Sequence, residues 1–206
     1  MIGTGGDPEL CSDSFCAQQS SGSLVGGNAS SNGYGIQAGF GSPDEPTLVV
    51  AVTNNVVDLG VLNTSSPAAA SANFSASSYL SNGYVVRVHG SPPTNNSGGH
   101  TLDAMDGAGG SVPGVEQFGI NLVANSNPGI GANPMQEPDD TFSFGAPTTA
   151  YGQEDVFKYE DGDVIAESTT ATGQTNYTMS IIANVANSTP GGRFRTVLVI
   201  QVITMF

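Results

Sequence analysis

The stretch Thr196-Val-Leu-Val-Ile-Gln-Val-Ile-Thr-Met-Phe206 is a strand with no wet side. In an extended chain alternate residues face opposite ways. One face carries Leu198, Ile200, Val202 and Phe206, and the other Val197, Val199, Ile203 and Met205. Only Thr196, Gln201 and Thr204 interrupt the apolar run. A strand in an antiparallel sheet with one face in water alternates apolar and polar residues. An apolar set on both faces needs two covers: the protein's own core, and either an insert of the same chain or a neighbouring molecule.

Upstream, Thr47-Leu-Val-Val-Ala-Val52 repeats this two-sided pattern. Around it, strand signals recur at short intervals: Tyr34–Phe40, Val56–Leu62, Asn73–Ser77 and Tyr84–His89, the last with Tyr84, Val86 and Val88 in phase. Val115–Ala124 sets Phe118, Ile120 and Leu122 on one face, and Tyr177, Met179, Ile181, Ala183 and Val185 mark another. Val156–Tyr159 and Val164–Ala166 flank Glu160-Asp-Gly-Asp163, which reads as a hairpin turn. No segment of ten or more residues carries a 3.6-residue period. Many short strands separated by turns predict an all-β antiparallel sandwich, of jelly-roll, Ig-like or pilin-like kind. Residues 1–33, rich in Gly and Ser with sparse apolar side chains, read as an extended N-terminal arm, and residues 34–206 as one domain.

The chain has 206 residues, 28 Gly, 12 Pro and a formal net charge of -14, with 11% charged residues against about a quarter in ordinary domains. Its four cations are Arg87, Lys158, Arg193 and Arg195. Such a surface repels phosphate backbones and anionic membranes, so nucleic acid is excluded as a partner. No run of about twenty apolar residues offers a membrane span. The start, Met1-Ile-Gly-Thr-Gly-Gly-Asp-Pro8, lacks a basic then apolar leader, so a secreted protein of this sequence is read as a mature form. Cys11 and Cys16, separated by four intervening residues, miss the two-residue spacing of metal and thioredoxin motifs and read as a small disulfide loop. A disulfide places the chain outside the cytoplasm, at the cell surface or beyond.

Catalytic and cofactor signals are sparse. His89 and His100 bracket a Pro-rich loop and, with Asp103 or Asp106, are weak candidates for a metal. Glu160-Asp-Gly-Asp163 invites calcium but lacks the alternating spacing and distal Glu of a calcium loop, so a structural calcium is a minor expectation and no other cofactor is implied. No nucleophile elbow or phosphate-cradling glycine loop occurs, and no tryptophan is present to make a sugar platform. The expected role is not enzymatic.

Five stretches carry a resemblance: Val57-Asp-Leu-Gly-Val-Leu62, Tyr79-Leu-Ser-Asn-Gly-Tyr-Val-Val86, Glu116-Gln-Phe-Gly-Ile-Asn-Leu-Val123, Phe157-Lys-Tyr-Glu-Asp-Gly-Asp-Val-Ile165, and Asn176-Tyr-Thr-Met-Ser180 through Thr189-Pro-Gly-Gly192. Their order resembles a family of secreted bacterial β-sandwich surface proteins, similar in architecture to pilins assembled by donor-strand exchange. The resemblance covers residues 34–206 and brings no catalytic residues.

Residues and resemblance together predict the structural subunit of an extracellular filament or surface array, polymerising with itself. A cell-surface adhesin or glycan-binding module, using loops 90–100 and 125–140, is the alternative, and a viral capsid or tail protein the third reading. The expected subunit interface comprises Leu48, Val50 and Val52, the face of Val197, Val199, Ile203 and Met205, and the arm. Arg193 and Arg195, two residues apart, are expected to dock on a neighbour's acidic surface.

Overall fold

The computed structural model describes residues 46–79, 81–137 and 144–206 in full, and four short strands before them by backbone alone. The chain divides into two units, Met1–Pro46 and Thr47–Phe206. In the first, β1 (Leu10–Cys11) pairs antiparallel with β2 (Cys16–Ala17), and β3 (Gly27–Ser31) with β4 (Tyr34–Ala38). The expected boundary after residue 33 falls between β3 and β4.

The second unit holds β5 (Thr47–Asn54), β6 (Ala68–Tyr79), β7 (Tyr84–His89), β8 (Thr94–Asn95), β9 (Gln117–Asn121), β10 (Asn125–Ser126), β11 (Gly129–Ile130), β12 (Met135–Glu137), β13 (Ala146–Pro147), β14 (Val164–Ser168), β15 (Thr172–Asn184), β16 (Phe194–Arg195) and β17 (Val199–Thr204). It is all-β, with no helix among the described residues. In one sheet β5, β6 and β15 run side by side, and β12 and β9 share the far side of β15. The other runs β13-β14-β7-β17. All these pairings are antiparallel.

The inward side chains of both sheets form one core, an arrangement consistent with a β-sandwich. Phe74 of β6 stacks on Tyr177 of β15 at 4.9 Å between ring centroids. The Tyr177 hydroxyl meets that of Tyr84 on β7 at 3.0 Å, so the polar tips of two buried rings satisfy each other. Val86, Val88, Phe118, Ile120, Leu122, Ile165 and Met179 complete this core, as the period-two pattern requires.

A second, smaller layer covers the outer face of the β15–β9 end, where Met105 and Phe157 pack on Ile182. Gly119 on β9 makes room for it: a Cβ there meets Met105 Sδ at 2.7 Å and Phe157 Cβ at 2.9 Å. The layer is pinned by buried asparagines. Asn121 Nδ2 donates to the carbonyls of Gln153 and Val156, and its Oδ1 accepts from the Val123 amide and Asn125 Nδ2.

Two expectations are corrected here. Residues 156–159 do not form a hairpin with 164–166: Phe157 bridges Gly109 and Lys158 bridges Ile120, while β14 pairs with β7 and β13. The turn itself forms, with the Asp163 amide donating to the Glu160 carbonyl at 3.2 Å, but its flanks pair with distant segments and Phe157 is completely buried. Residues 56–62 form no strand: Gly60 takes a positive φ of 69°, and Val57, Leu59 and Leu62 pack on the core without a ladder.

Candidate assembly interface

Strand register shows which way each interface candidate points. Opposed residues on antiparallel neighbours share a face. On β5, Leu48 opposes Ser78, Val50 opposes Ala76 and Val52 opposes Phe74, three buried residues of β6. Leu48, Val50 and Val52 therefore face the core side of their sheet. Leu48 is half-buried against the core, yet Val50 remains 40% and Val52 52% exposed. The core side of this edge strand is open.

The same logic places β17. Ile200 opposes Val88 and Val202 opposes Val86, so both face inward, and with Leu198 they pack on the core while staying half-exposed. Val199, Gln201 and Ile203 oppose His89, Arg87 and Val85 on the outer face, with Val199 54% exposed. Val197 is exposed as well. Met205 is half-buried and returns its backbone groups to Asn82 and Gly83, past the end of the ladder. Phe206, assigned from periodicity to the inward face, lies beyond β17 and is exposed, because the alternation stops with the ladder at Thr204.

Topology brings β5 and β17 to one flank. The connections 80–83 from β6 to β7 and 169–171 from β14 to β15 are too short to cross a sheet. The β6–β15 pair thus lies over the β7–β14 pair, with β5 beyond β6 and β17 beyond β7. Both are edge strands, and among the described residues nothing pairs with their outer edges. Neither the run Thr47–Asn54 nor the run Thr196–Phe206 contains a charge or a proline, the usual devices that blunt an edge. The expected interface residues are thus neighbours on a flank, but they do not form one continuous face: those of β5 point into the gap between the sheets and those of β17 outward. Their contrast between register and exposure is invisible in the sequence, which gives neither strand partners nor edge positions.

Arg193 and Arg195 flank Phe194, whose ring meets His100 edge-on at 6.4 Å. β16 pairs with β8, and both arginines are exposed with no ion pair among the described residues. Cys11 and Cys16 oppose each other in the β1–β2 register. Their side chains lie outside the described residues, as does the arm apart from the backbone of β1, β2 and β3.

The metal and calcium candidates do not converge. His89 reaches Gln201 Oε1 at 3.1 Å and lies 3.5 Å from Asp161, while His100 lies 2.8 Å from Glu116, which also accepts from Thr189 Oγ1. No group of three or more His, Cys, Asp or Glu side chains gathers among the described residues. In the Glu160–Asp163 turn, Asp163 Oδ2 accepts from Lys158 Nζ at 2.5 Å and from the Tyr151 hydroxyl at 2.9 Å. Burial pushes the Asp163 carboxyl up, but the bonds from Lys158 and Tyr151 outweigh it and hold it below the usual carboxylate range. Hydrogen bonds to Asp163 and Glu160 raise Lys158, and burial followed by Asp163 raises Tyr151. This is a structural ion pair that fixes a turn.

No helix among the described residues is long and apolar enough to cross a membrane. Comparison with known proteins finds no matching family model, no matching curated protein and no matching solved structure. The likeness to bacterial surface subunits accordingly rests on the five stretches alone.

Proposed function

We propose that this chain is the structural subunit of an extracellular filament or surface array, in which a strand or arm of a neighbour closes the β5/β17 flank. The observation that carries this reading is that Val50 and Val52 face the core side of their sheet and are nevertheless 40% and 52% exposed. Strand addition at such a flank supplies backbone hydrogen bonds for affinity, and alternate side chains entering the gap set the register. Each half-exposed valine covered contributes about 1 kcal/mol, before the cost of association. A net charge of -14 spread over the rest of the chain opposes contact elsewhere, whereas both edge runs are uncharged.

Negative-stain microscopy and light scattering of the native protein test the reading, alongside Val52→Lys and a chain lacking residues 1–46. Ordered oligomers that Val52→Lys abolishes while circular dichroism stays native are the expected result. Loss of assembly on removing 1–46 identifies the arm as donor, and its retention identifies a strand of the second unit. A native protein that stays monomeric at high concentration overturns the proposal.

A further inference from the structure

β17 carries more than an open edge: its sequence is nearly its own reverse. Counted outward from Gln201, Ile200 matches Val202, Val199 matches Ile203 and Val197 matches Met205, with Leu198 against Thr204 the one unmatched pair. An antiparallel pair of identical strands centred on Gln201 opposes just these residues. We infer that β17 pairs with β17 of a second copy about a two-fold axis through Gln201, joining two four-stranded sheets into one. The inference rests on the assembly reading and names the partner segment.

Backbone direction agrees with it. The Val88 amide donates to the Asp163 carbonyl, and the Val88 carbonyl accepts from the Gly162 amide, so Val88 turns its backbone groups toward β14. In an antiparallel ladder neighbouring residues turn theirs to opposite sides. Val85, Arg87 and His89 therefore face β17 and bond Ile203, Gln201 and Val199, their partners in register. Met205, in the same phase as those three, likewise turns both its groups toward Asn82 and Gly83. That leaves Ile200, Val202 and Thr204 with amide and carbonyl directed at the free edge. In the two-fold pair Ile200 exchanges both backbone bonds with Val202 of the second copy, and the reverse. Gln201 falls on the axis in a non-hydrogen-bonded position, where opposed side chains come closest.

The side chains are matched as well. On the outer face Val199 of each copy lies against Ile203 of the other, an aliphatic cross-strand pair made twice. The two Gln201 amides meet on the axis. His89 engages Gln201 Oε1, which leaves the amide nitrogen of each Gln201 free to donate across the axis. Moving the centre by one residue sets Gln201 against Val199 or Ile203 and mismatches the face. An isologous contact needs a patch complementary to itself, and this edge is one. It is also uncharged from Thr196 to Phe206, so two strongly acidic copies meet there without opposing carboxylates. The same axis turns the open gap between β5 and β17 toward that of the second copy.

Symmetric cross-linking tests this register. In a non-hydrogen-bonded antiparallel pair the Cα atoms are about 4.5 Å apart, within disulfide range. Gln201→Cys is expected to give a disulfide-linked dimer under mild oxidation. Val199→Cys alone is expected to give none, because its own counterpart lies several residues along the strand, but mixed with Ile203→Cys it is expected to give the hetero-linked dimer. Gln201→Glu, read by light scattering with circular dichroism as the check on folding, is expected to weaken the dimer on the order of tenfold or more. Oligomers that form while Gln201→Cys cross-links no better than Val199→Cys overturn the β17 pairing and leave the assembly reading standing. A parent chain monomeric at high concentration overturns both.

Discussion

Ile203→Lys separates a face covered by a neighbour from one covered within the chain. Ile203 sits on the outer face of β17 opposite Val85 and is 41% exposed. A fully buried aliphatic side chain contributes about 1.5–3 kcal/mol, so the shielded part of Ile203 contributes roughly 1–2 kcal/mol to the monomer. The lysine stem lies along the same apolar surface with its ammonium in water and recovers part of that. The expected cost to the isolated subunit is about 1 kcal/mol. In the two-fold pair the substituted residue lies against Val199 of the second copy, and the change occurs twice. Edge pairing leaves the outer face in water, so each lysine loses only its aliphatic cross-strand contact, about 0.2–1 kcal/mol, and association is expected to weaken by roughly twofold to thirtyfold. Urea denaturation followed by circular dichroism gives the first number, and light scattering over a concentration series gives the second. A loss of 3 kcal/mol or more from the monomer would show that this face is covered by its own chain. Unchanged association would remove it from the interface.

Mass spectrometry without reduction should find Cys11 and Cys16 joined, since directly opposed residues of an antiparallel pair lie within disulfide reach; alkylation of both thiols in the native protein refutes this. Asp163→Asn should cost about 1–2 kcal/mol at neutral pH, a charge-assisted bond discounted for partial exposure, as read by denaturant titration. Asp163 titrates below its unfolded value, so its stabilisation is complete above about pH 4 and lost as pH falls through the folded value. Lys158 titrates above its unfolded value, so its share is complete below about pH 10.4 and lost as pH rises through the folded value. A stability profile flat across both windows sinks the ion-pair account. A panel of esterase, peptidase and glycosidase substrates should give no turnover that copurifies with the chain, because no nucleophile–base pair is visible in its sequence.

Strong period-two contrast made β7, β9 and β15 legible: Tyr84, Val86 and Val88, then Phe118, Ile120 and Leu122, then Tyr177 through Val185 all line the core. β6 was not legible over its whole length. Its twelve residues are mostly Ala, Ser and Asn, and only Asn73–Ser77 stood out. Small side chains give little contrast between faces, and they suit a strand paired on both sides. Residues 156–159 misled because a turn signal carries no information about distant partners. The flank was legible in part: two-sided apolar runs marked β5 and β17 as needing a second cover. That Val50 and Val52 look toward the core, and that both strands are edges, depends on pairing partners far away in sequence.

The layer of Met105 and Phe157 over the β15–β9 end implies uneven kinetics of opening. Ser180, Ile182 and Asn184 point to the outer face and are nonetheless buried, while Ile181 and Ala183 point into the core, so this half of β15 is enclosed on both sides and paired on both edges. Its amides have no local route to solvent, and their hydrogen exchange should proceed only through unfolding of the whole unit. At the opposite edge of the same sheet, the outward-facing amides of β5 should exchange within the dead time when the subunit is alone. A slowing confined to that edge and to Ile200, Val202 and Thr204 as concentration rises would map the contact residue by residue, with no substitution at all.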